Sequence, residues 1–246
     1  KPLFRGGIMN FTNIEIANSH YKLCHLLVSN VLQISKIRPD FYEKQLTQAI
    51  YTIAPCDDPQ APLKMSVQER YAILLSYLQL VDNRLDDDVQ ISDYLGEDLT
   101  TFSHERIEIN GISVRPLNGL EAHALEEGCE STVDWIMGAM AMQIGCEELP
   151  PIDEFTNLTF TKNLIKTRID QLSKLEIGHF NELFNTYLHL DSQFNNLVKI
   201  IFDKGIVLQK INGGTDDAPL RFRVASAFTG HTKDILSIAY ENDSNI

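Results

Sequence analysis

Three consecutive stretches of sequence decide the fold of the middle of the chain. They are the run His104-Glu-Arg-Ile-Glu-Ile109, the pair Asn110-Gly111 and the run Ile112-Ser-Val-Arg-Pro-Leu117. Asn-Gly is the preferred pair of a two-residue hairpin turn, because both central residues of that turn need positive φ. In the predicted register Ile109 lies opposite Ile112. Ile107 then lies opposite Val114, so that one face carries four β-branched apolar side chains. The other face carries the polar residues Arg106, Glu108, Ser113 and Arg115.

Capped helices are predicted on both sides of this hairpin. Ser66-Val-Gln-Glu69 is a capping box, in which the serine hydroxyl accepts from the third helical amide and the glutamate reaches back to the cap amide. Asn118 precedes a helix that ends at Gly128, and Ser131 precedes a helix over Val133–Ile144. The hairpin is therefore expected within a mostly helical part of the chain.

The first quarter of the chain is also predicted to be helical. After the cap-type residues Asn18 and Ser19, apolar residues recur at helical spacing from Leu23 to Ile34. A second helix is expected over Phe41–Ile53, followed by a proline-rich loop.

Pro150-Pro151 is the best candidate for a boundary between two parts of the chain, residues 1–149 and 150–246, which can also form one continuous domain. The elements expected beyond it are three helices over Thr161–Leu175, Ile177–Leu190 and Ser192–Phe202, a hairpin of strands Ile206–Ile211 and Leu220–Phe228 with the tip Asn212–Pro219, and a short helix Thr232–Tyr240. Strands do not alternate with helices as in βαβ units. The predicted fold class is therefore α+β, mostly helical with two β-hairpins.

Composition and charge disfavour several classes of function. The chain has 246 residues, is 43% hydrophobic and 22% charged, and is thus typical of a globular protein. Thirty-four acids against 21 bases give a net charge of −13. Nucleic acid is not expected as a partner, because that affinity depends on basic residues that neutralise phosphates. No apolar stretch approaches the ~18 residues of a membrane span, and no apolar segment near the start indicates a retained signal peptide.

Motifs for cofactor, metal or nucleophile chemistry are weak. Gly213-Gly214 lacks the Lys-Ser/Thr pair of a phosphate-binding loop. None of the four cysteines forms a Cys-x-x-Cys pair, and we expect reduced, buried thiols at Cys24, Cys56, Cys129 and Cys146. We therefore predict no catalytic residue, no metal site and no cofactor.

Two features are candidates for partner binding. Trp135 and Met140 belong to a methionine-rich helix that either packs in the core or offers a soft apolar surface to a partner helix. Arg221 and Arg223 lie on one face of a predicted strand, with Lys210 opposite, and form a small basic patch suited to an acidic neighbour.

The segment Ile109-Asn-Gly-Ile-Ser-Val-Arg-Pro-Leu-Asn-Gly-Leu-Glu-Ala-His-Ala-Leu-Glu-Glu127 resembles a strand, "Arg-Pro-Leu-(Thr/Asn)-x-x-Glu" and helix pattern of baseplate-hub and tail-assembly proteins of T-even-type contractile phages. The resemblance implies a small scaffold that packs against other tail components, with no catalytic residues to carry over.

The resulting hypothesis is a non-enzymatic structural or assembly protein of a viral tail or baseplate. Its expected partners are other tail or baseplate subunits in a larger oligomer, and its expected location is the virion or the host cytoplasm during assembly. Two alternatives remain open. One is a cytosolic metal-dependent enzyme with a site built from His20, Cys24 and Asp86–Asp88. The other is an adaptor that binds peptides along the methionine-rich helix.

Overall fold

Helices and small antiparallel sheets make up the chain, as the sequence predicts. In a computed structural model, the described residues are 12–81, 89–102, 106–152, 156–212 and 219–221. Within these ranges the sheets have two or three strands each, and every strand pair is antiparallel. The predicted α+β class is confirmed.

The chain begins, within the described residues, with a hairpin in a region that was predicted to be helical. Strand β1 (Thr12–Ile16) pairs with β2 (Ser19–Leu23) around Ala17 and Asn18, whose φ angles are 51° and 59°. The prediction of a helix capped at Asn18 is wrong, because asparagine favours left-handed turn positions as readily as helix caps. The helix α1 starts later and spans Val28–Ser35.

Three further helices follow as a connected group: α2 (Tyr42–Ile53), the single turn α3 (Ala61–Lys64) and α4 (Val67–Leu80). The capping box of α4 is confirmed. The Ser66 hydroxyl accepts from the Glu69 amide at 3.2 Å, and the Ser66 amide donates to the Glu69 carboxylate at 2.9 Å. Almost the whole surface of α4 is buried, so it is the central helix of this part.

The central hairpin has the predicted register. Strand β3 (Ile107–Ile109) pairs with β4 (Ile112–Val114), and Asn110 and Gly111 take the positive φ angles of 53° and 79° that the turn requires. Two capped helices follow, α5 (Gly119–Gly128) and α6 (Thr132–Gln143). A short third strand, β5 (Ile144–Gly145), returns from α6 to pair with β4.

The C-terminal part contains two long helices, α7 (Leu158–Leu172) and α8 (Ile177–Asp191), close to their predicted bounds. The predicted helix over Ser192–Phe202 is wrong. Only a 3₁₀ turn forms at Ser192–Phe194, and strand β6 (Lys199–Phe202) pairs with β7 (Ile206–Gln209). A short apolar run rich in β-branched residues fits a buried strand as well as a helix, and this one turns back at Gly205, where φ is 139°.

The predicted second hairpin is described only in part. Its first strand exists as β7, and Leu208 makes one antiparallel bridge to Leu220. Most of the tip, the rest of the second strand and the predicted helix Thr232–Tyr240 lie outside the described residues. The main partner of β7 is β6, a pairing that the sequence pattern did not indicate.

One hydrophobic core extends across the predicted boundary at Pro150-Pro151. Ile16 and Leu74 from before it belong to the same buried cluster as Leu183 and Leu208 from after it. Among the described residues, no helix combines the length and apolar character needed to cross a membrane.

Candidate docking cleft

Arg221, from the basic strand proposed from the sequence, is engaged within the fold. The Arg221 guanidinium donates to the backbone carbonyls of Asp203 and Lys204, lies over the ring of Tyr42 at 5.4 Å, and keeps 23% of its side chain exposed. Arg223 lies outside the described residues. Lys210 forms an ion pair of 3.1 Å with Asp93. Arg221 therefore anchors the turn between β6 and β7 and is not a free docking cation.

The methionine-rich helix α6 is a core helix. Trp135 and Met140 are 3% and 0% exposed, and the Trp135 ring stacks on Phe202 of β6. Neither side chain can offer the open partner surface that was expected of it. Of the residues on this helix, Met137 is half-buried and also packs against the core.

The residues suggested for a metal site do not form one in the part of the chain that the structure describes. His20 is exposed on β2, Cys24 is buried, and Asp86–Asp88 lie outside that part. No group of three His, Cys, Asp or Glu side chains within the described ranges is arranged to hold a metal ion.

The expectation of four buried thiols is wrong, because Cys56 is exposed and Cys129 and Cys146 are half-buried. Burial raises the pKa of Cys129 to about 12 and the pKa of Cys146 to about 11. Burial also raises the pKa of Cys24 and, together with Asp58 and Asp57, that of Cys56. Thiols with raised pKa values stay protonated at neutral pH and are poor nucleophiles.

Residues Arg115–Glu121 form the joint between β4 and α5. Arg115, at the end of the hairpin, makes a two-pronged ion pair with Glu121 in the first turn of α5. The same carboxylate accepts from the Asn118 amide at 2.9 Å, and the Asn118 side chain accepts from the Glu121 amide at 3.0 Å. This arrangement is a capping box reinforced by an arginine, so it fixes the direction in which α5 leaves the hairpin.

Beside this joint lies a cleft of about 280 Å³, which we call the arginine cleft. The polar lining of the cleft includes the side chains of Arg106, Arg115 and Glu121. The apolar lining consists of Leu120, Met142, Ile152, Phe160 and Leu164. The cleft thus combines two guanidinium groups with an apolar wall from the start of α7.

Arg106 is the exposed cation of the arginine cleft. Its guanidinium lies beside Gly145 and donates to the Ser113 hydroxyl at 3.4 Å. Within the described residues, no carboxylate lies within ion-pair distance of Arg106. Arg115, in contrast, is already paired with Glu121. Arg106 is therefore the group with capacity to bind an anion.

A third arginine lies behind the cleft. Arg168 of α7 is 1% exposed and donates to the carbonyls of Ala141, Ile144 and Pro150. Burial is the main cause that lowers its pKa to about 10, and the positive charges of Arg115 and Arg106 act in the same direction. Arg168 thus adds to the positive potential around the cleft while it ties α7 to the end of α6.

Another polar cluster lies inside the fold between α2, α4 and α5. Arg70 and Glu43 form an ion pair of 3.1 Å, with side chains 0% and 2% exposed. The Arg70 guanidinium also donates to the Glu43 carbonyl and to the Thr47 hydroxyl, each at 2.8 Å. The Tyr71 hydroxyl donates to the Glu43 carboxylate at 2.8 Å. Because the ion pair is closed to water, we assign this cluster to stability.

Two titratable residues of α5 adjoin the Arg70–Glu43 pair. His123 Nε2 lies 3.1 Å from the Thr47 hydroxyl, and burial is the main cause that lowers the pKa of His123 to about 4. The Glu126 carboxylate accepts from the Glu43 amide at 2.7 Å, in the first turn of α2. Burial, followed by the negative charge of Glu43, raises the pKa of Glu126 to about 8.

Only the polar part of the arginine cleft could be predicted from the sequence. The hairpin register placed Arg106 and Arg115 on one polar face, and the structure keeps them together at the cleft. The apolar lining was missed, because no local signal indicates that Phe160 and Leu164 line the same cleft as that face. Searches with the chain found no matching protein family, no matching curated protein and no matching solved structure.

Proposed function

We propose that this chain is a non-enzymatic assembly protein of a viral tail-like particle, and that it docks onto other subunits through the arginine cleft. The observation that carries the docking part is the positive charge of this cleft. Among the described residues that line it there are two arginines and one glutamate, on a chain with a net charge of −13. A local reversal of sign of this kind favours specific contact with an acidic partner.

The resemblance supports the particle part of the proposal. Arg115, Asn118 and Glu121 are the named polar positions of the "Arg-Pro-Leu-(Thr/Asn)-x-x-Glu" pattern that resembles baseplate-hub and tail-assembly proteins, and all three line the cleft. The part of the sequence that suggested an assembly role is thus also the part that builds the candidate docking site.

An exposed apolar stripe on α8 also favours assembly. Ile177 is 75% exposed and Leu188 is 47% exposed, and the half-buried rings of Phe180 and Phe184 stack between them. These four residues follow one side of the helix at helical spacing. Exposed apolar surface of this kind is typical of an interaction site.

Density-gradient fractionation of a lysate from the native source tests the proposed function. We expect the chain to co-sediment with a megadalton particle in the mature virion fraction or with assembly intermediates from the host cytoplasm. A chain that stays only in the light fractions, at every stage of particle production, would contradict the proposal.

A further inference from the structure

We infer that the arginine cleft binds a partner segment in which a carboxylate side chain lies next to a large apolar side chain. The inference rests on the proposed docking function and adds the chemistry of the partner. The anionic half follows from Arg106, which is exposed and has only the neutral Ser113 hydroxyl as a partner among the described residues. A carboxylate gives a guanidinium a charge-assisted, two-pronged partner that a hydroxyl cannot provide.

Glu121 does not compete for this role. It is 3% exposed, and its carboxylate is already shared between Arg115 and the Asn118 amide. An incoming anion therefore meets Arg106 without displacing a buried ion pair. Asp153 and Glu154 follow Ile152 in the sequence but lie outside the described residues, so this charge balance is that of the described lining alone.

The apolar half follows from the apolar lining of the cleft. Phe160 keeps 43% of its surface exposed at the start of α7, and Leu164 follows one turn later on the same wall. The volume of about 280 Å³ lies at the lower end of the ~300–1,000 Å³ typical of small-molecule pockets. It therefore suits one or two partner side chains better than a whole cofactor.

Peptide titration of the ¹⁵N-labelled full chain tests the inference. The probes are acetyl-Gly-Ser-Glu-Phe-Ser-Gly-amide, its Glu-to-Gln form and its Phe-to-Ala form. We expect the first peptide to shift the Arg106 Nε–H signal and the Leu164 amide signal. The Gln form should bind about tenfold more weakly, the equivalent of ~1.4 kcal/mol for a lost charged hydrogen bond. The Ala form should bind severalfold more weakly.

A charge exchange separates direct contact from an indirect effect on structure. The Arg106→Glu variant should no longer bind the Glu peptide. It should instead bind the peptide in which Lys replaces Glu, because the charges of both partners are then reversed. The control is Lys174→Glu. Lys174 is exposed just after the end of α7, about 15 Å from Leu164 at the helical rise of ~1.5 Å per residue. This variant should bind the Glu peptide like the parent chain.

Three outcomes would overturn the inference: Glu and Gln peptides of equal affinity, no shift of any cleft signal, or peptide binding that survives Arg106→Glu. Equal affinity of the Ala form would overturn its apolar half. The result is independent of the gradient experiment. If the chain binds the peptide but stays in the light fractions, the proposed particle function is refuted. If the chain is bound to the particle but does not bind the peptide, the inferred partner chemistry is refuted.

Discussion

Arg70 shows, at the scale of a single residue, how a buried charge is made tolerable. Its guanidinium has the Glu43 carboxylate, a backbone carbonyl and the Thr47 hydroxyl around it. Removing one partner leaves the other charge without compensation in a site closed to water, which typically costs about 3–5 kcal/mol. The cost therefore depends on the pair, not on either residue alone.

We accordingly expect Arg70→Met to lower the free energy of unfolding by about 3–5 kcal/mol. Adding Glu43→Gln should recover part of that loss, because the orphaned charge is gone. Arg38→Met is the matched control, since Arg38 forms an exposed ion pair with Asp40 and its loss should change stability very little. Urea unfolding measures all three, and similar losses for Arg70→Met and Arg38→Met would contradict this account.

Glu126 makes stability depend on pH in a predictable direction. Its pKa is raised to about 8 from 4.5, so the folded chain favours the protonated form. The stability that Glu126 contributes is therefore complete below pH 4.5 and is lost as pH rises toward 8. His123 acts in the opposite sense, because its lowered pKa costs stability only as pH falls from 6.5 toward 4.

We expect Glu126→Gln to gain stability relative to the parent chain as pH rises, by more than about 1 kcal/mol near pH 8. Thermal unfolding followed by circular dichroism across this range gives the difference, from which the contribution of His123 cancels. A difference that stays constant with pH would mean that Glu126 is ionised without cost in the folded chain.

At the scale of elements, Gly119 controls how closely α5 approaches α4. A Cβ atom at this position would lie 2.6 Å from both the Arg70 guanidinium and the Pro62 carbonyl oxygen. Gly128, at the other end of α5, has no heavy atom within 4 Å of the same position. The two ends of one helix thus provide a crowded site and an open site for the same substitution.

Gly119→Ala should cost about 1–3 kcal/mol, because the helix must move away from the Arg70 cluster. Gly128→Ala should be neutral or slightly stabilising, because alanine loses less chain entropy than glycine. Denaturant unfolding of the two variants tests the packing of α5. Equal effects of the two changes would contradict the close approach of α5 to Arg70.

The elements also show which sequence signals are sufficient to predict secondary structure. Asn110-Gly111 and the Ser66–Glu69 capping box each depend on contacts within a few residues, and both were predicted correctly. The β1–β2 hairpin and strand β6 were missed, because Asn18 and the run around Ile200 fit two structures locally. Pairing with the next strand along the chain decided between them, and neither turn contains the Asn-Gly pair that marks the central hairpin.

At the scale of the whole molecule, the chain combines a closed core with a charged cleft on an acidic surface. The core helix α6 has no free face for a partner at Trp135 or Met140, and Arg221 is committed to the β6–β7 turn. We therefore propose Arg106 as the partner-binding residue, in place of Trp135, Met140 and Arg221. Sequence patterns could identify the polar face of the hairpin, but the cleft also needs side chains of α7, which packs against α5 and α6.

Gradient sedimentation of Arg106→Glu beside Lys174→Glu, each expressed in the native source in place of the parent chain, tests the central claim most directly. Both variants change the net charge equally, but only Arg106 lies in the arginine cleft. We predict that Lys174→Glu co-sediments with the particle and that Arg106→Glu moves to the light fractions with an unchanged circular dichroism spectrum. Particle association of both variants, or of neither the variants nor the parent chain, would contradict docking through the arginine cleft.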